Sequence, residues 1–207
     1  MKRIELKKQA LAALKGHWGV AILVGLAHIG ICYVASLIPV IGWAAAFVTP
    51  VFTFGIAAFY LSVVRAGDIK FETLVTVPFK GFLKKWGACW LQALYLSLWS
   101  MLFVIPGIIK AYAYAMTEYI MLDNPELGIN EAITKSRQMM KGYKWKLFVL
   151  DLSFILWRLL CMIPVAGTII NVLFLTPYVT ATRAQFYEEL KKIKAEEVVA
   201  EVVADAE

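Results

Sequence analysis

Apolar residues in this chain gather into six runs, at about 18–38, 43–64, 87–105, 107–122, 146–163 and 168–183. A helix needs about 20 apolar residues to cross the hydrocarbon core, with a range of about 17–25. The first two runs meet that length. Runs 107–122 and 168–183 stand at its lower edge and need local bilayer thinning or support from neighbouring helices. Three junctions between runs are tight and uncharged, at Pro39–Gly42, Pro106–Gly107 and Pro164–Gly167, while the others are polar and longer. The pattern predicts an all-α, polytopic membrane protein: six transmembrane helices in three hairpins. A single domain is expected over 1–190, with hairpin units at about 1–66, 67–124 and 125–187, and a charged cytoplasmic tail over 191–207.

Charge orients the hairpins. Of the 21 Lys and Arg residues, 19 fall before the first run, between the second and third, between the fourth and fifth, or after the sixth. Cytoplasmic loops collect Lys and Arg, so both termini are expected in the cytoplasm, with the short turns outside.

The hairpins also share landmarks. Each opens on a tryptophan after a basic stretch (Trp18, Trp86, Trp145), read as interface anchors. The turn prolines follow at intervals of 21, 20 and 19 residues, and Thr49, Thr117 and Thr176 lie 10, 11 and 12 residues further on. Glu5, Glu72 and Glu131 precede the tryptophans by 13, 14 and 14 residues. A period near 60 residues predicts internal triplication, each unit an amphipathic helix on the cytoplasmic face followed by a membrane hairpin. Arg3–Lys15 and Asn130–Lys141 mix apolar and basic residues as such helices do, and can lie among anionic headgroups. Pro50 and Pro177 are expected to kink the second and sixth spans, freeing carbonyls at Ala46 and Leu173.

Composition narrows the function classes. Apolar residues make up 61% of the chain and charged residues 17%, against about 45–50% and about 25% in soluble domains. Mean hydropathy is +0.70. Disordered and disulfide-stapled classes are excluded on these figures. The net charge of +6 is accounted for by the cytoplasmic loops rather than by nucleic-acid binding. Cys32, Cys89 and Cys161 each sit in an apolar run and read as small apolar residues, and His17 and His28 complete no zinc-site spacing. The first run follows 17 residues and leads into a second, so it reads as a retained span rather than a cleaved signal. No catalytic motif, metal site or cofactor motif is present, and no enzyme activity is expected.

Several strings resemble a known family: Ile105-Pro-Gly-Ile-Ile-Lys110-Ala-Tyr-Ala-Tyr-Ala-Met, Asp123-Asn-Pro-Glu-Leu127, Ser136-Arg-Gln-Met-Met-Lys-Gly142 and Lys144-Trp-Lys-Leu-Phe148 through Leu152-Ser-Phe154. They resemble the bacterial integral-membrane family known as domain of unknown function 975, from Leu14-Lys-Gly16 to Phe186-Tyr-Glu-Glu-Leu190. Where that family usually has Thr-Pro-Tyr in the fourth span, this chain has Thr117-Glu118-Tyr119. The resemblance implies no established activity. It extends distantly to membrane regions attached to some glycerophosphodiester phosphodiesterases, a pointer towards lipid.

Four ionisable residues fall inside runs: Lys110, Glu118, Asp151 and Arg158. Each costs about 2.5–3.5 kcal/mol at a helix centre unless it finds a partner or water. Asp151 and Arg158 lie about 10 Å apart along one helix, too far to pair. Lys110 and Asp151 lie close enough to span ends to reach an interface. Glu118 and Arg158 are expected either to pair across spans or to form an ion-coupled site, within a polar ring built from Thr49, Thr117 and Thr176. Two functions follow. One is a non-catalytic module that organises lipid or a protein partner at the cytoplasmic membrane. The other is a small-solute or ion transporter built on Glu118 and Arg158.

Overall fold

The structure is a computed structural model that describes residues 3–36, 47–65, 72–160, 167 and 170–204. Helix α1 (Arg3–Leu14) carries a stripe at four-residue spacing, Leu6, Ala10 and Leu14, which is buried. After a bend of 92°, α2 (Trp18–Ser36) follows. A 3-10 turn at Thr49–Val51 leads into α3 (Phe52–Val64). Next come α4 (Thr73–Phe79), α5 (Phe82–Leu102), α6 (Val104–Tyr114) and α7 (Thr117–Asp123). The chain continues through α8 (Ile129–Met139), α9 (Lys144–Leu152) and α10 (Ile155–Leu160) to a π-helical turn (Asn171–Leu175) and α11 (Thr176–Ala204). The all-helical class expected from the runs is borne out, with no strand among the described residues.

One local order recurs in the three hairpin units. A short helix (α1, α4, α8) ends near a glycine in the left-handed region, Gly16 (φ 92°), Gly81 (φ 67°) or Gly142 (φ 83°), and the tryptophan-bearing helix begins just after it. Only glycine takes that conformation without steric cost, so these positions fix the corner between helices. Glu5 and Glu131 lie in the first turns of α1 and α8, and Glu72 is the N-cap residue of α4. There a negative charge meets the positive end of the helix dipole. The Glu131 carboxylate also accepts the Gly128 N–H at 2.7 Å.

Each threonine landmark falls at a break in regular α-helix: the 3-10 turn at Thr49, the Ala115–Met116 step before Thr117, and the π-turn before Thr176. Two of these breaks adjoin Pro50 and Pro177, which lack an N–H and crowd the carbonyl four residues back. The extra residue of the π-turn absorbs that crowding at Leu173. Ala46 lies outside the described residues. The middle break has no proline. There Ser136 of α8 inserts its hydroxyl, donating to the Ala113 carbonyl at 2.8 Å and accepting the Met116 N–H at 3.3 Å. Both backbone groups are thereby satisfied inside the protein.

Several expectations need correction. Run 107–122 is not one rod: it is α6 and α7, while run 146–163 begins as α9 and α10. The tight junction expected at Pro106–Gly107 falls instead at extended Phe103 (φ −160°, ψ 143°), so Pro106 lies in the first turn of α6, where its missing N–H costs nothing. The turns at Pro39–Gly42 and before Gly167 lie outside the described residues. Among those described, no single helix is long and apolar enough to cross a membrane. Only the bent pair of α1 with Trp18–Ala27 meets that test together. Trp86 is tied down: its indole donates to the Phe47 carbonyl at 2.9 Å, and α5 meets the first unit at the 3-10 turn. Gly55 admits the backbone of α4, since a Cβ there would lie 2.4 Å from the Leu74 carbonyl oxygen.

Helix α11 is the spine of the packing, touching α1, α2, α3 and α8. It runs unbroken past residue 190, and Tyr143 donates to Glu197 at 3.3 Å, so the charged tail is joined to the packed region. A polar knot ties two helix ends to the middle of α11. Asp123, the last residue of α7, accepts hydrogen bonds from Arg65 (2.8 Å), Lys191 (2.7 Å) and Tyr187 (3.0 Å), and Arg65 also donates to Glu188 (2.8 Å). One stretch of the surface is apolar. Trp90, Leu94, Leu98 and Met101 form an exposed stripe along α5, continued by Phe103, Val104 and Ile105.

Candidate functional site

The helix starts that follow the threonine landmarks line a cavity of about 660 Å³. Thr53, Ile56 and Ala57 of α3 form one wall, and Glu118 and Tyr119 of α7 another. Arg158 of α10 and Asn171 of the π-turn enter from a third side, and α11 contributes Thr176, Val179, Thr180 and Arg183. Spacings of three and four residues put this last set on one helix face. Because α7 starts at the break that Ser136 supports, Glu118 sits in its first turn and reaches the cavity rather than continuing the line of α6.

The Thr53 hydroxyl lies 2.9 Å from Glu118 Oε1 and 2.7 Å from the Pro50 carbonyl. Its single proton serves one acceptor at a time. A charged Glu118 accepts it; a neutral Glu118 donates to Thr53, which then donates to Pro50. The site can therefore hold the carboxyl in either protonation state without orphaning a polar atom. Arg183 is fixed from behind. It grips Asp151 through two hydrogen bonds, at 2.7 and 3.3 Å, and Tyr112 donates to the same carboxylate at 3.2 Å.

The candidates of the sequence divide accordingly. Glu118, Arg158 and Thr176 line one cavity, and among the described residues no ion pair joins Glu118 to Arg158. Asp151 pairs with Arg183 and stands behind the wall. Lys110 stacks its ammonium 4.2 Å over the Trp99 ring, remote from the cavity. The threonine ring does not form. Thr49 does not line the cavity, and Thr117 is buried with its hydroxyl donating to Tyr114. Their places are taken by Thr53, one turn after Thr49, and by Glu118 itself. Sequence reasoning missed Arg183 because it closes the sixth run and counts as a basic flank; its helical spacing from Thr176 and Thr180 was the available signal. Among the described residues no group of His, Cys, Asp and Glu is placed to hold a metal ion.

Ser136→Ala tests the support of this geometry. It leaves the Ala113 carbonyl and Met116 N–H unsatisfied, at about 1–2 kcal/mol. The expected result is a lower melting temperature in detergent, read by tryptophan fluorescence.

Among the described residues the fold is all-helical, with a charged, open cavity lined by several of its helices. Residues 102–194 match the family described as "Protein of unknown function (DUF975)". The resemblance read from the sequence is thus borne out over that segment, which carries Glu118, Arg158, Arg183 and Asp151 but not Thr53. No curated protein and no solved structure matches the chain. Nothing in these comparisons bears on a relation to glycerophosphodiester phosphodiesterases.

Proposed function

We propose that this is a multi-pass protein of the bacterial cytoplasmic membrane, with both termini in the cytoplasm, and that its cavity binds a small polar solute for passage across the bilayer. The membrane reading is supported by the one-sided distribution of Lys and Arg and by the outward apolar stripe of α5. The observation that carries the solute reading is the meeting of Glu118, Arg158 and Arg183 in one cavity. Asp151 neutralises Arg183, whereas Glu118 and Arg158 make no ion pair with each other among the described residues. The walls therefore offer one acid and one base to a ligand, which suits a small zwitterion. The reading is one of binding without chemistry.

The test uses the full chain in detergent and in liposomes. Glycine and proline are expected to raise the melting temperature, while acetate and methylammonium alone leave it unchanged. Glu118→Gln and Arg158→Leu should each abolish the shift and liposome flux, with folding intact. Loss of folding in either single variant, rescued by the double, would instead mean a structural pair. A second reading, the non-catalytic module that organises lipid or a protein partner, draws on a different surface beside α1.

A further inference from the structure

A groove of about 900 Å³ runs between α1 and α9, far from the polar cavity in composition. Its rim carries Arg3, Lys7 and Lys8 from α1 and Lys146 from α9, against one carboxylate, Glu5. Lys7 is engaged from below: its ammonium lies 3.9 Å over the Phe154 ring and donates to the Ser153 carbonyl at 3.4 Å. Arg3, Lys8 and Lys146 are exposed. Beneath the cations the wall turns apolar, with Val149 of α9 and Phe186 of α11, and Trp145 and Ile4 stand exposed beside it at 71% and 72%.

We infer that this groove binds one anionic phospholipid, its phosphate among the rim cations and an acyl chain along the apolar wall. Charge complementarity calls for an anion, since four cations face one carboxylate. The apolar wall calls for a chain attached to it. A free phosphate would leave that wall and the Trp145 ring bare, whereas tryptophan at headgroup level is where its amphipathic ring is at home. Burial, then the neighbouring charge of Arg3, pushes the Lys7 ammonium down from its ordinary value, a penalty that a phosphate between the two would relieve. The stripe Leu6, Ala10 and Leu14 holds α1 against α11, so the rim is built before any lipid arrives. The inference rests on the membrane placement proposed above and not on the solute cavity.

The full chain is reconstituted into nanodiscs of equimolar phosphatidylcholine and phosphatidylglycerol, extracted gently, and its retained lipid counted by native mass spectrometry. One phosphatidylglycerol per chain is expected, preferred over phosphatidylcholine, with the preference falling about fivefold for each lysine removed in Lys8→Gln and Lys146→Gln. Both lysines are exposed, so the fold is expected to persist, checked by tryptophan fluorescence. Trp145→Ala should reduce retention of either lipid. Equal retention of the two lipids by the wild type, or a preference untouched by the double substitution, would overturn the groove assignment. So would displacement of the lipid by excess inorganic phosphate, which would make the site one for free anions. A chain that fails to enter nanodiscs at all would overturn the membrane placement as well, which separates the two failures.

Discussion

Replacing Arg183 with methionine is expected to destabilise the protein by about 2–3 kcal/mol, read as a fall in melting temperature in detergent. Its partner Asp151 has a side chain only 11% exposed. Without Arg183 that carboxylate keeps a single hydrogen bond, from Tyr112. Breaking a fully enclosed pair costs about 3–5 kcal/mol because a charge is left without compensation. Arg183 is 43% exposed, so the lower figure applies here. The double variant Arg183→Met with Asp151→Asn should regain most of the loss, since neither charge then lacks a partner. Equal stability of the single variant and the wild type would mean that Tyr112 and solvent suffice for Asp151. The double variant also isolates the cavity: folded protein that has lost the glycine-dependent shift would assign Arg183 a share in holding solute.

Asp123→Ala should cost about 2–3 kcal/mol, since it removes the acceptor shared by Arg65, Lys191 and Tyr187. The same knot predicts an acid limb. Burial alone would raise the Asp123 carboxyl, but hydrogen bonds from Arg65, Lys191 and Tyr187 outweigh it and hold the group at about 2, below its ordinary 3.8. A carboxyl lowered on folding contributes stability that is complete above the unfolded value and is lost as pH falls through the folded one. The contribution is about 1–2 kcal/mol after allowance for solvent screening. Melting temperatures of wild type and Asp123→Asn, measured from pH 6 down to pH 2, should converge at the acid end. Parallel curves would remove Asp123 from the acid limb.

Much of this arrangement was legible in the sequence because local chemistry dictates it. Trp18 opens α2 where the first run begins, and Gly16 and Gly142 stand within strings that already carried the family resemblance. Pro50 and Pro177 flagged two of the three breaks, since a missing N–H acts on its own helix wherever that helix is packed. The third break was hidden. It depends on Ser136, 20 residues from Met116 along the chain, and no local rule reports a hydroxyl arriving from another helix. For the same reason Asp151 found Arg183, 32 residues away. Hydropathy registers which residues avoid water, not whether the backbone stays straight, so runs 107–122 and 146–163 gave no sign of their divisions. The repeat called for a helix like α4 in the second unit but not its bounds, because seven residues containing Pro78 show too little periodicity to read.

The position of α11 also imposes an order of manufacture. The stripe of α1 is covered by α11, which is synthesised long after it. Arg65 and Asp123 likewise wait for Tyr187, Glu188 and Lys191 before their knot can close. During synthesis the helices before α11 are parts awaiting a clasp, and α11 acts as the latch. A nascent chain stalled before this latch would show the stripe of α1 and bare charges to the quality-control machinery of the cell, while one that has made α11 would cover both.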